Sequence, residues 1–108
     1  MNKLKNELLE ALQNCITECN HCATACLNES DVKMLRKCIE LDLDCADICS
    51  LGAVLSARES EYANQILKEC AKICKACAEE CEKHTHMEHC KRCAEACRKC
   101  AEACKNVA

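Results

Sequence analysis

Cysteine is the residue that carries chemistry in this chain. It occurs sixteen times, as Cys15, Cys19, Cys22 and Cys26, then Cys38, Cys45 and Cys49, then Cys70, Cys74, Cys77 and Cys81, and last Cys90, Cys93, Cys97, Cys100 and Cys104. Thiolates are soft ligands that select Cu(I), Zn²⁺ or iron–sulfur chemistry over Mg²⁺, Ca²⁺ or Mn²⁺. Some spacings, such as Cys19/Cys22 and Cys90/Cys93, also have the Cys-x-x-Cys form used in thiol redox work. Packing alone accounts for one or two buried cysteines. It does not account for sixteen in a chain that places alanine freely among them, as in Cys93-Ala94-Glu95-Ala96-Cys97. Metal binding is the reading that fits the number.

The steps between cysteines alternate between three and four, and positions so spaced lie on one face of an α-helix about 5–6 Å apart at Cβ. Each run is therefore a thiol stripe on a helix. Proline is absent and glycine occurs once, at Gly52, so the breaks are read from capping residues. Asn28-Glu29-Ser30-Asp31 and Ser60 supply N-cap candidates, and the stretch from Lys83 to His89 interrupts the apolar rhythm. The expectation is an all-α, antiparallel up-down four-helix bundle with a Cys-lined core, its helices over residues 3–28, 31–57, 60–83 and 88–106, in one metal-binding domain over residues 1–108. Short connections between long helices favour that topology.

Projection at 100° per residue gives the tube two unlike ends. Leu4, Leu8 and Leu12 continue the Cys15 stripe, and Ala63, Ile66 and Leu67 continue that of Cys70, forming an apolar plug. At the other end Asp31 and Met34 extend the Cys38 stripe, His84 follows Cys81 by three residues, and His86 precedes Cys90 by four. This end reads as a mouth. His84, His86 and His89, with Met87 between them, offer ligands that pass a soft ion inward; Met34 is either a gap filler or a further ligand. His21 falls off the stripe and reads as structural. Asp42 stands where the rhythm would place another cysteine; it reads as a polar core residue needing a metal, a protonated thiol or water as partner.

Composition narrows the function. Leu, Ile and Val total 19 of 108 residues and there is no Phe or Trp, so cysteine must supply much of the core. No stretch approaches the roughly 18 apolar residues of a membrane span, and the charges alternate in sign, with a net charge of −3, which argues against nucleic acid as a partner. The chain enters an amphipathic helix within its first residues, without a secretory leader pattern. The expected compartment is the reducing cytoplasm, where sixteen cysteines are thiols or metal thiolates rather than disulfides.

Zinc and clusters favour Cys₄ sets on knuckles and loops, whereas Cu(I) accepts two or three thiolates. Helical Cys-x-x-x-Cys pairs such as Cys15/Cys19, Cys45/Cys49 and Cys100/Cys104 suit two. If each ion takes two sulfurs and each sulfur bridges two ions, sixteen cysteines hold about sixteen Cu(I).

Three segments carry a resemblance to a known family: Cys15-x₃-Cys19-Asn20-His21-Cys22-x₃-Cys26-Leu27, Cys38-Ile39-Glu40-Leu41-Asp42-x₂-Cys45-Ala46-Asp47-Ile48-Cys49, and His84-x-His86-x₂-His89-Cys90-x₂-Cys93-Ala94-x₂-Cys97. The chain resembles the cytosolic copper storage proteins of bacteria over nearly its whole length. The resemblance implies a homotetramer of bundles, each filled with multiple Cu(I) ions on core thiolates, with histidines helping ions in at one end. Leu8 and Leu12 stand where more thiol-rich members have room for further cysteines, which implies a lower capacity here. Leu43, Leu51, Val54 and Leu55 project outward from the second helix and call for a covering surface, in keeping with an oligomer.

The leading reading is thus storage or sequestration of Cu(I) without catalysis. A thiol oxidoreductase would need one or two thiols of depressed pKa in a βαβ setting, and a zinc or cluster protein would saturate at a few ions on cross-helix Cys₄ sets. Nucleophilic catalysis has little support, since no cysteine is singled out beside an orienting histidine and acid.

Overall fold

A computed structural model describes residues 2–107. Four helices run α1 Lys3–Leu27, α2 Arg36–Ala57, α3 Ala63–Cys81 and α4 Glu88–Val107. Short 3₁₀ turns at Val32–Leu35 and Glu82–His84 stand before α2 and after α3. Each helix packs against two neighbours, α1 on α2 and α4, and α3 on α2 and α4. The result is the expected antiparallel up-down bundle, 44 Å long and 20 by 17 Å across. No helix among the described residues is long and apolar enough to cross a membrane.

Local chemistry explains the helix ends. Asn2 caps α1 by accepting the Lys5 N–H at 2.8 Å on its side-chain oxygen, the arrangement that satisfies an otherwise orphan donor. α2 ends in a Schellman turn: the Ser60 N–H reaches Leu55 O at 2.9 Å and the Glu59 N–H reaches Ser56 O at 3.1 Å. That geometry needs a left-handed residue after the cap, and Glu59 adopts it at φ 55°. Glu88 in the first turn of α4 and Lys105 in its last complement the helix dipole.

Two turns shift the helix phase from what the sequence suggests. The second helix was expected from residue 31, with Met34 facing the tube. Val32–Leu35 instead winds as a 3₁₀ turn, which advances about 120° per residue rather than 100°. Leu35 therefore points inward, 3% exposed, while Met34 is 67% exposed. Asp31 is likewise exposed. The third helix begins at Ala63 rather than at residue 60, because Ser60 uses its hydroxyl to accept the Tyr62 N–H within the turn. This late start leaves nothing packed across from Leu4, which is 50% exposed and lines a surface cleft of about 400 Å³ with Ser56, Ala63 and Val107. The plug consists of Leu8, Leu12, Ala63 and Leu67, all buried, with Ile66 half-buried beside them.

On α2, Leu43, Leu51 and Val54 are exposed, forming an apolar outer face. Leu55, expected with them, is half-buried.

Candidate metal centre

All sixteen cysteines are free and turned into the bundle, none more than 1% exposed. α1 and α3 run one way and α2 and α4 the other, so the four stripes register against one another along the axis. Near the histidine end Cys22, Cys26 and Cys90 meet at 3.8–3.9 Å, and Cys38 meets Cys81 at 3.5 Å. Midway, Cys15, Cys19, Cys45, Cys93 and Cys97 lie 3.6–3.9 Å apart. Cys45 leads on to Cys74 at 3.5 Å. Towards the plug, Cys49 contacts Cys70, Cys74 and Cys100 at 3.5–3.8 Å. Cys77 faces Asp42, and Cys104 is buried in the same core cluster.

These separations fit bridging metal. A metal–sulfur bond of about 2.3 Å, the zinc value, lets one ion touch two sulfurs less than about 4.6 Å apart. The observed spacings fall inside that span without any movement of the helices. Four-sulfur sets whose ligand atoms lie within 4.8 Å of one another recur along the tube: Cys15, Cys49, Cys74 and Cys100; Cys15, Cys19, Cys45 and Cys97; Cys19, Cys77, Cys93 and Cys97; and Cys22, Cys26, Cys38 and Cys90. The sets share members, Cys15, Cys19 and Cys97 each belonging to two. Isolated tetrahedral sites for zinc would divide the sulfurs, whereas shared sulfurs suit bridged ions of low coordination number.

Asp42 interrupts the sulfur lining. Its Oδ1 accepts the thiol protons of Cys77 at 3.2 Å, Cys93 at 3.3 Å and Cys81 at 3.6 Å, and its Oδ2 that of Cys38 at 3.9 Å. Of the partners considered for this carboxyl, protonated thiols are the ones it has. Burial first, then the negative charge that Cys93, Cys77 and Cys38 would carry on losing their protons, pushes Asp42 up to about 11. It is a neutral acid in the empty tube at neutral pH. The same crowding acts on the thiols. Cys97 is raised by its contacts with Cys15, Cys19, Cys45 and Cys77 and then by burial, and Cys104 by Cys100, Cys70 and burial. Burial raises Cys26 to about 11, with the charge of Cys38 adding to it. Thiols raised in this way keep their protons until a metal replaces them.

The histidines stand at graded depth around the Cys26 and Cys90 end. His86 is exposed and His84 and His89 are half-buried. The rings of His84 and His86 stand edge to face, with centroids 6.4 Å apart. His89 has a buried Nε2 with no hydrogen-bond partner. Met87 packs on the core at this end, and Leu35 belongs to that core. His21 is exposed on α1. Sequence reading missed Glu80, a carboxylate whose side chain is 8% exposed, paired with Lys83 at 3.1 Å and His84 at 3.4 Å. Its signal was the spacing: Lys83 and His84 follow it by three and four residues, the distances at which helical side chains meet.

A tube of overlapping thiol sets, closed by leucine at one end and ringed by histidine at the other, agrees with what comparison with known proteins finds. The family model for copper storage proteins matches residues 1–108. An uncharacterised cysteine-rich protein of Bacillus subtilis, YhjQ, is 44% identical over 94 residues, 87% of this chain and 86% of that protein. The Cu(I)-bound copper storage protein BsCsp3 superposes with a TM-score of 0.93 at 43% identity, covering 98% of this chain and 99% of that one. The copper storage protein Ccsp of Streptomyces lividans, loaded with 10 copper equivalents, gives a TM-score of 0.93 at 41% identity over 97% of this chain and 83% of that one; a structure from that organism with five coppers describes its protein as cytosolic. Fold, thiol lining and relatives converge, and this chain belongs to the copper storage protein family.

Proposed function

We propose that this protein stores Cu(I) in the cytosol by exchanging the protons of its sixteen buried thiols for copper, with about one ion per cysteine. The observation that carries the reading is the continuity of the lining. Every cysteine is buried in one core, with neighbouring sulfurs 3.5–3.9 Å apart along most of it and four-sulfur sets that share members. Each ion bound converts a thiol to a bridging thiolate and releases a proton, so affinity falls as pH falls. The resident ions are cut off from water and from redox cycling by the surrounding helices. The role is binding without turnover, and the whole chain acts as one metal-binding domain.

In this reading Cys15, Cys19, Cys22, Cys26, Cys38, Cys45, Cys49, Cys70, Cys74, Cys77, Cys81, Cys90, Cys93, Cys97, Cys100 and Cys104 are the storage ligands. His84, His86 and His89 admit ions at the Cys26 and Cys90 end, with Met87 beside them. The depth gradient from exposed His86 to half-buried His84 and His89 supports an inward relay, as does the free Nε2 of His89. The exposed face of Leu43, Leu51 and Val54 supports a homo-oligomer, and the family resemblance supports a tetramer.

Anaerobic titration of the fully reduced protein with Cu(I), against a competing chromophoric chelator and with zinc in parallel, tests the reading. Tight uptake of well over ten Cu(I) per chain, with zinc saturating at a few, is the expected outcome. Saturation of copper at one to four ions would sink it.

A further inference from the structure

We propose that Glu80 is a positioning residue for copper admission: it holds the Nε2–H of His84 and so leaves the Nδ1 lone pair of that ring as the one that meets an incoming Cu(I). The proposal rests on reading His84 as a ligand of the mouth and names what makes it one.

Glu80 lies in the last turn of α3, where the negative end of the helix dipole disfavours a carboxylate. Its neighbours Glu79 and Glu82 stay in solvent, but Glu80 is turned in until its side chain is only 8% exposed. Such an orientation loses hydration as well as opposing the dipole, and it persists only with partners. Lys83 supplies one, its Nζ donating to Oε1 at 3.1 Å from a side chain that is 64% exposed. A lysine that exposed would pair equally well with an outward glutamate. The partner that requires the inward turn is His84, whose side chain is 13% exposed and whose Nε2 lies 3.4 Å from Oε2.

The chemistry of the pair sets the roles. A carboxylate has no proton to give, so the shared hydrogen is the imidazole's. A neutral imidazole carries one N–H and one lone pair, and with the N–H on Nε2 the lone pair is on Nδ1. Metal-bound histidines commonly donate their second N–H to a carboxylate, which fixes the ring and raises its basicity as a ligand. The contact is long in the empty protein. It shortens once a cation at Nδ1 draws charge from the ring and makes Nε2–H a stronger donor. His86, edge to face with His84 at 6.4 Å, stands on the solvent side to hand the ion over. His89 has no such carboxylate, its buried Nε2 being unpartnered, so Glu80 singles out one ring.

The test uses the full-length reduced protein with ¹⁵N-labelled histidine and Cu(I) delivered anaerobically from a chelator. Long-range ¹H–¹⁵N spectra at pH 8, assigned with His84→Ala, read the tautomer; stopped-flow reads the initial uptake rate. In the wild type His84 is the Nε2–H form. Glu80→Ala loses that preference and slows initial uptake roughly 10-fold, the scale seen when an outer partner of a metal ligand is removed, with final copper per chain unchanged. Glu80→Gln, whose amide oxygen still accepts, keeps the tautomer and most of the rate. The double variant Glu80→Ala/His84→Ala is no slower than His84→Ala. If His84→Ala slows uptake but Glu80→Ala keeps the wild-type rate or tautomer, or slows uptake further in the His84→Ala background, the positioning role is overturned while the histidine mouth stands. If His84→Ala itself takes up copper at the wild-type rate, the reading of His84 as a ligand fails and the proposal with it.

Discussion

At the end where α1 and α3 begin, Leu8, Leu12 and Leu67 close the sulfur tube as a layer of buried leucines around Gly52. At the opposite end a single inward leucine, Leu35, is buried from a 3₁₀ turn, with half-buried Met87, His84 and His89 at the same end. The bundle is sealed at both ends, but only the second seal is built from short turns and groups that bind soft metal. Regular helix gives the first end its stability, because its leucines are buried in the core between neighbouring helices. The second end gives up that packing for side chains that an ion can use. Under the proposed admission of ions at the histidine end, the difference sets a strong end against a passable one, and each end can be broken separately.

The largest effect is expected at the leucine layer. Leu12 is wholly enclosed, and its truncation to alanine removes buried methyl groups while leaving a cavity that surrounding helices cannot collapse, a loss of about 3–5 kcal/mol. Thermal unfolding of the metal-free, reduced Leu12→Ala protein should show the drop. Copper uptake per chain should be unaltered, because no ligand is touched. Bound copper, which bridges cysteines of different helices in the folded form and so favours it over the unfolded chain, should restore part of the stability. A fall in capacity would mean that this end also governs loading.

Asp42, between the histidine end and the middle of the tube, gives the next effect. Its folded pKa is raised to about 11 from 3.8, so from pH 5 to 9 the native state keeps a proton that the unfolded chain has released. Stability is therefore highest in acid and falls as pH rises, by about 1.4 kcal/mol per pH unit for one proton. Denaturant unfolding of the reduced metal-free protein at pH 6, 7 and 8 should show that slope. Asp42→Asn, neutral at every pH, should flatten it. An equal slope in both proteins would remove Asp42 as its source. Above pH 8 the raised thiols add in the same direction.

Leu35→Ala probes the other seal. Leu35 stands at the rim, where the turn can settle inward, so the loss should sit near the lower limit for such changes, about 2 kcal/mol. Its distinguishing sign is kinetic. Opening the axis beside His84 and His89 should speed the first phase of Cu(I) uptake in stopped-flow, whereas Leu12→Ala should leave it alone. Equal rates in the two variants would erase the contrast between the ends.

Why the two ends differ was only half legible in the residues. The period of three and four steps fixed the helices, their inner faces and the whole thiol lining, because a 3.6-residue turn leaves little freedom to a stripe of sixteen. Leu8, Leu12 and Leu67 extend those stripes without a break and were legible for the same reason. Met34 was misplaced and Leu35 overlooked because Val32–Leu35 changes the angle per residue, and no glycine or proline announces it. Leu4 needed the start of α3, which capping chemistry at Ser60 set three residues late. Asp42 could be placed in the tube by phase, but its four thiol donors come from three helices and required the assembled bundle. Glu80 reads as one acid among several at a helix end until its burial is known.

The smallest expected effect sharpens the comparison from the leucine side. Gly52 lies inside α2, where glycine is less favourable than alanine by about 0.8–1 kcal/mol. An added Cβ would stand 3.3 Å from Leu67 Cδ2 and 3.8 Å from Leu12 Cδ2. The first contact is tight, but it involves the end of a flexible side chain, and Leu67 also lines the cleft with Leu8 and Ala63, which gives it room to move a few tenths of an ångström. The helix preference should therefore outweigh the crowding, and Gly52→Ala should raise the melting temperature of the metal-free protein slightly, by less than about 1 kcal/mol in stability. A loss instead would mean that Leu67 is locked by its neighbours and that the leucine layer has no slack at all. Unchanged copper uptake in the same variant would place the methyl outside the ion path, as the proposed admission at the histidine end requires, since the layer it fills lies beyond Cys49 and Cys70.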